Sequence, residues 1–129
     1  MSKKILVVDD EVEICTILRR FFQQQGFEVV TSTDGDNALT LATKERPHLI
    51  LLDMKMPGIS GVEVLRILRE NHHPAKVVIL SAVKDESVIK ETLRMGADGY
   101  LTKPFRLEQV AQLMNSLLGL KASPSQGLL

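Results

Sequence analysis

Four short apolar runs punctuate the chain at similar intervals: Ile5 to Val8, Phe27 to Val30 interrupted by Glu28, Leu49 to Leu52, and Val77 to Leu80. A strand built from such a run has no polar face, so it must be covered on both sides, as strands of a parallel sheet are. The intervening segments carry helical spacing instead. Ile14, Leu18, Phe21 and Phe22 form the first apolar stripe, followed by Ala38, Leu41 and Ala42, then Val64, Leu65 and Leu68, then Val88, Thr92 and Leu93. Gly26 and Gly96 stand where a left-handed residue ends a helix, and Ser60 with Glu63 reads as a capping box opening the third. A weaker strand near Tyr100 and Leu101 precedes a last helix bearing Leu107, Val110, Met114 and Leu117, with Gly119 at its end. Five strand-helix units joined by right-handed crossovers give a parallel sheet with helices on both faces, and ligands then sit beyond the carboxyl ends of the strands.

At 129 residues, 44% hydrophobic and 25% charged, the chain fits one globular domain. The formal net charge is zero, so no global basic field draws it onto nucleic acid or an anionic membrane. Direct nucleic-acid binding and membrane association are therefore not expected. The one cysteine, Cys15, has no disulfide partner within the chain, and no early apolar stretch has the form of a secretory signal, which points to a cytoplasmic location. Cys15 is expected to be buried filler. Residues 1–120 read as the domain and residues 121–129, rich in small and turn residues, as a flexible tail or the start of a linker.

The strand ends carry the chemistry. Asp9 and Asp10 follow the first apolar run and Asp53 follows the third, which brings three carboxylates to one edge of the sheet. Like charges about 4 Å apart repel by on the order of 4 kcal/mol at an effective dielectric near 20, and a divalent cation reverses that cost. All-oxygen ligands select magnesium or manganese. Any one of these aspartates could simply cap a helix, but convergence of the three weakens that reading. Ser81 follows the fourth run and Lys103 the fifth, adding a hydroxyl and a cation. The set suits phosphoryl transfer, where positioning and charge neutralisation dominate and a carboxylate can be the nucleophile.

Through Val7-Val8-Asp9-Asp10-Glu11, Leu52-Asp53-Met54-Lys55-Met56-Pro57-Gly58, Leu80-Ser81-Ala82 and Lys103-Pro104-Phe105, the sequence resembles the receiver domains of two-component response regulators. The resemblance runs from about Lys3 to Leu118 and implies a flavodoxin-like α/β fold, a doubly wound five-stranded parallel sheet of order 2-1-3-4-5 with five helices. It further implies Asp53 as phosphoacceptor, Asp10 as a direct magnesium ligand, Asp9 as an acid acting on the metal through water, and the Lys55 carbonyl as another ligand. Lys103 would pair with the phosphoryl oxygens. Ser81 would turn to the phosphoryl group and let Tyr100 swing inward as the switch, and the Lys103-Pro104 peptide would be cis. The implied partners are a histidine kinase or phosphotransfer protein as donor, and an output domain, partner protein or second phosphorylated copy on the face of the fourth helix, fifth strand and fifth helix, where Ile89, Leu93, Tyr100 and Arg106 lie. Such a chain catalyses only its own phosphoryl transfer and slow autodephosphorylation. Lys55 and Val83, at the positions that tune dephosphorylation in the family, are neither acid nor amide, which implies a long phosphoryl lifetime. His48, His72 and His73 are expected in turns and at the surface.

Three other readings fit less well. A haloacid-dehalogenase-type phosphatase would need its nucleophile after the first strand and an acid two residues later, where Lys55 stands after Asp53. A flavodoxin-type FMN carrier needs a Ser/Thr/Gly phosphate loop in place of Asp9, Asp10 and Glu11. A degenerate receiver used only as a protein-interaction module would have lost one of the five residues that are all present here.

Overall fold

The computed structural model describes residues 3–120; the proposed tail at 121–129 lies outside them. The elements alternate as β1 (Lys4–Val8), α1 (Val12–Gln24), β2 (Glu28–Ser32), α2 (Gly35–Glu45), β3 (Leu49–Asp53), α3 (Gly61–Glu70), β4 (Lys76–Ser81), α4 (Glu86–Arg94), β5 (Gly99–Thr102) and α5 (Leu107–Leu118). The strands form one parallel sheet in the order β2-β1-β3-β4-β5. This is the flavodoxin-like doubly wound fold the sequence implies.

Strand alternation divides the core in two. Leu6 and Val8, Ile50 and Leu52, and Val77 and Ile79 pack with Ala38, Ala42, Val64, Leu65 and Leu68 of α2 and α3. Ile5 and Val7, Leu49 and Leu51, and Val78 and Leu80 pack with Leu18 and Phe22 of α1 and Val110 and Met114 of α5. Burying each large side chain completely contributes about 1.5–3 kcal/mol, which is why apolar runs with no polar face can be stable only here. Cys15 is buried, as expected.

Two boundary readings need correction. The Ser60 hydroxyl oxygen accepts from the Glu63 N–H at 3.3 Å, but the Glu63 carboxylate accepts from the Arg66 guanidinium, so only half of the capping box forms. Phe27 precedes β2; its N–H donates to the Phe22 carbonyl at 3.1 Å as the chain leaves α1, and the strand starts at exposed Glu28. β2 is an edge strand, so it runs on through half-buried Thr31 to Ser32 rather than ending with its apolar residues. Gly26, Gly96 and Gly119 all have positive φ at helix ends, as expected.

Gly61 opens α3 against the end of β3. Its N–H donates to the Met54 carbonyl at 2.9 Å, and a Cβ on it would collide with the Asp53 carbonyl oxygen and lie 2.8 Å from Met54 Cα. No side chain fits without moving the backbone of Asp53. Gly61→Ala should therefore cost about 1–3 kcal/mol in urea unfolding, as overpacking against fixed backbone does. Gly58→Ala meets nothing within 4 Å and strains only a φ of 75°, costing about 1 kcal/mol. Equal losses in the two variants would contradict the close approach at Gly61.

Candidate functional site

The register brings the strand ends level. Val8 lies beside Leu52, Asp53 beside Leu80, and Ser81 beside Thr102. Asp9, Asp53, Ser81 and Lys103 consequently gather at the carboxyl edge. Strand parity then sorts them: Asp9, Asp53 and Lys103 continue the rows facing α1 and α5, while Ser81 continues the row facing α2 and α3.

Asp9, Asp10 and Asp53 place carboxylate oxygens within 4.8 Å of one another. Asp9 is fully buried, Asp53 is 6% exposed and Asp10 is open to solvent. Lys103 Nζ donates to Asp9 Oδ2 at 2.9 Å, stands 3.5 Å from Asp53 Oδ1, and lies 3.9 Å from exposed Glu11. The other Asp9 oxygen accepts from the Glu11 N–H at 2.9 Å. Burial, then the neighbouring Asp9 charge, push the Asp53 carboxyl up to about 6 against the opposing pull of Lys103, with Asp10 adding to the rise. For Lys103, burial works against the ammonium, yet its hydrogen bond to Asp9 and the charges of Asp9, Asp53 and Glu11 outweigh it and raise the group above its ordinary value. One ammonium cannot offset the three clustered aspartates, and the donors are all oxygen, so the set fits a hard divalent cation. Lys55 is exposed two residues past Asp53.

Ser81 is buried, and its hydroxyl oxygen accepts from the Val83 N–H at 3.0 Å. Half-buried Tyr100 donates from its hydroxyl to the Val83 carbonyl at 2.8 Å, with Met54 Sδ at 3.5 Å. Ser81 and Tyr100 thus hold one residue of the β4–α4 loop by its two backbone polar groups. The Lys103-Pro104 peptide is cis. Cys15 donates to the Asp9 carbonyl at 3.3 Å, and burial pushes its thiol up, so it is positioned as packing rather than as a nucleophile. His48 and His72 are exposed; His73 is half-buried, with its ring bonded to backbone of Ala42 and Ala75.

Reasoning from sequence missed Gly61 and Met54. A glycine at the first position of the helix that follows the Asp53 loop, and the parity of the residue after Asp53, were the available signals. A hollow of about 1000 Å³ lies at the opposite pole of the sheet, among Leu39, Arg46, His48, Ile67, His73 and Leu117; among the described residues the acids and histidines that converge closely enough to hold a metal are those of the acidic edge, not of this hollow. Beside the acidic edge lies a smaller apolar groove of about 540 Å³ between Ile14, Ile17, Pro104, Phe105 and Leu107.

Residues 5–115 match the family described as the response regulator receiver domain. The chain is 35% identical over 123 residues to the sporulation initiation phosphotransferase F of Bacillus subtilis, covering 95% of this chain and 99% of that one. It is 42% identical over 119 residues to the alkaline phosphatase synthesis transcriptional regulatory protein PhoP of the same organism, covering 92% of this chain but 49% of that longer protein. Among solved structures, the Francisella response regulator 1452 receiver domain superposes with a TM-score of 0.88 at 33% identity, over 92% of this chain and 98% of its own. The Thermotoga maritima response regulator TrrA in complex with Mg²⁺-BeF superposes with a TM-score of 0.80 at 34% identity, over 89% and 98%. Sequence, sheet order and strand-end residues agree, and the chain belongs to the response regulator receiver domain family.

Proposed function

We propose that this chain is a phosphorylation-driven signalling switch in which Asp53 accepts a phosphoryl group from the phosphohistidine of a histidine kinase or phosphotransfer protein. The observation that carries this reading is the grouping of Asp9, Asp10 and Asp53 carboxylate oxygens within 4.8 Å of one another, with the Lys103 ammonium 2.9 Å from Asp9 Oδ2 and 3.5 Å from Asp53 Oδ1. In the transfer, an Asp53 carboxylate oxygen bonds to phosphorus, the phosphorus–nitrogen bond of the donor breaks, and its electron pair returns to the imidazole. Lys103 offsets the charge on the phosphoryl oxygens. Asp9, Asp10, Asp53 and the Lys55 carbonyl would hold Mg²⁺, or Mn²⁺, which when bound neutralises the acidic edge and the incoming phosphoryl group.

The readout follows from the Val83 grip. If Ser81 turns its hydroxyl to a phosphoryl oxygen on Asp53, its bond to the Val83 N–H is given up, and the peptide that seats the Tyr100 hydroxyl is free to shift. Tyr100 is on β5, so the change reaches the face of α4, β5 and α5, where exposed Leu93 and Arg106 and half-buried Ile89 would meet an output domain, a partner protein or a second copy. A cytoplasmic setting suits a donor kinase. No described helix is long and apolar enough to cross a membrane.

Incubation with acetyl phosphate and Mg²⁺ should add one phosphoryl group by intact mass, and Asp53→Asn or chelator should abolish it. An unlabelled wild type would instead favour a module that acts only by contact. Because burial, and then the neighbouring carboxylates, penalise the Asp53 charge, Asp53→Asn should raise stability without divalent cations, on the order of 1–3 kcal/mol in urea. Saturating Mg²⁺ should shrink that advantage, and a destabilised variant would contradict the charge argument. With Lys55 and Val83 at the tuning positions, the phosphoryl group should outlast that of fast-resetting chemotaxis regulators. Val83→Gln should shorten its lifetime roughly tenfold, below the contribution of a fully placed proton acceptor. Rapid loss of label from wild type would overturn this.

A further inference from the structure

We propose that Met54 is a positioning residue that couples the state of Asp53 to Tyr100 across the sheet. The inference rests on Asp53 being the phosphoacceptor. Asp53 and Met54 are consecutive, so the pleat sends them to opposite faces. Asp53 continues the row facing α1 and α5, whereas Met54, 8% exposed, belongs to the cluster beneath α2 and α3, against which Tyr100 packs. The charge chemistry and the tyrosine therefore lie on different sides of the sheet, and the peptide between residues 53 and 54 spans the two.

The main chain on either side of Met54 has little room to absorb a displacement. The Met54 carbonyl is bonded to the Gly61 N–H at 2.9 Å, and the Asp53 carbonyl is approached so closely by Gly61 that no Cβ fits. A shift at Asp53 is consequently passed on to the Met54 side chain. Its sulfur lies 3.5 Å from the Tyr100 hydroxyl, whose single proton is directed at the better acceptor, the Val83 carbonyl, at 2.8 Å. Met54 thus acts as an apolar seat for the tyrosine tip, with the Val83 carbonyl as its polar anchor. The phosphoryl group acts on both: through Ser81 on the Val83 peptide and through the main chain on Met54. A flexible, polarisable thioether suits a seat that has to follow a moving ring.

The composition supplies its own probe, because Tyr100 is the one tyrosine and there is no tryptophan. Tyrosine emission should be followed in wild type, Met54→Ala and Met54→Leu on addition of acetyl phosphate and Mg²⁺, with phosphoryl uptake read separately by intact mass. The expected result is full uptake in all three, an emission change reduced about twofold or more in Met54→Ala, and recovery of most of it in Met54→Leu, which refills the seat. A wild-type emission change retained in Met54→Ala would overturn the proposal. So would loss of uptake in Met54→Ala, which would make Met54 part of the phosphorylation site itself. Absence of uptake in wild type would instead defeat the phosphoacceptor reading.

Discussion

Three carboxylates and one ammonium are held together at the carboxyl edge of the sheet, and the architecture serves to keep them there. Carboxylates within 4.8 Å of each other repel strongly when two of them are buried, and one lysine cannot balance three. Such a cluster persists because the cores on both faces of the sheet fix the strands that carry it. Val8, Leu52, Leu80 and Thr102 bring their strands level, so Asp9, Asp53, Ser81 and Lys103 have nowhere else to go. The sheet thereby stores an unfavourable charge arrangement, one that a hard divalent cation would relieve.

The pleat adds a division of labour. Residues that handle charge continue the rows facing α1 and α5, and Ser81, Met54 and Tyr100 continue the rows on the other side. Chemistry on one side can be read on the other only where the chain itself crosses, at the peptide after Asp53, or where a side chain at a strand end turns across it, as the Ser81 hydroxyl would on leaving the Val83 N–H for a group on Asp53. The short β4–α4 loop is held by hydrogen bonds from both directions, so a change in either bond changes its position.

Much of this was legible in the sequence because burial on two faces leaves an unambiguous mark. Leu49 to Leu52 and Val77 to Leu80 can hardly be anything but central strands, and the acidic and basic residues at their ends follow directly. The edge strand was less legible: Phe27 looks like strand but closes the turn after α1, while the polar Thr31, half-buried, and Ser32, buried, belong to β2. The Ser60–Glu63 pattern misled because Glu63 had a stronger partner in Arg66 one turn along the helix. The Tyr100–Val83–Ser81 bridge depends on loop conformation, which no periodicity encodes. Gly61 and Met54 were legible in principle, one from the crowding at a strand-to-helix corner and the other from parity, yet both look ordinary until the Asp53 backbone is in place.

The claim on which the account depends is that the acidic edge opposite Lys103 is a divalent cation site serving Asp53. Crystals soaked in Mn²⁺ and examined by anomalous scattering test it most directly. The account predicts one dominant peak in contact with oxygens of Asp10 and Asp53 and the Lys55 carbonyl, with Lys103 on the opposite side of Asp53. No peak there at saturating Mn²⁺, or a dominant peak elsewhere on the molecule, would contradict it.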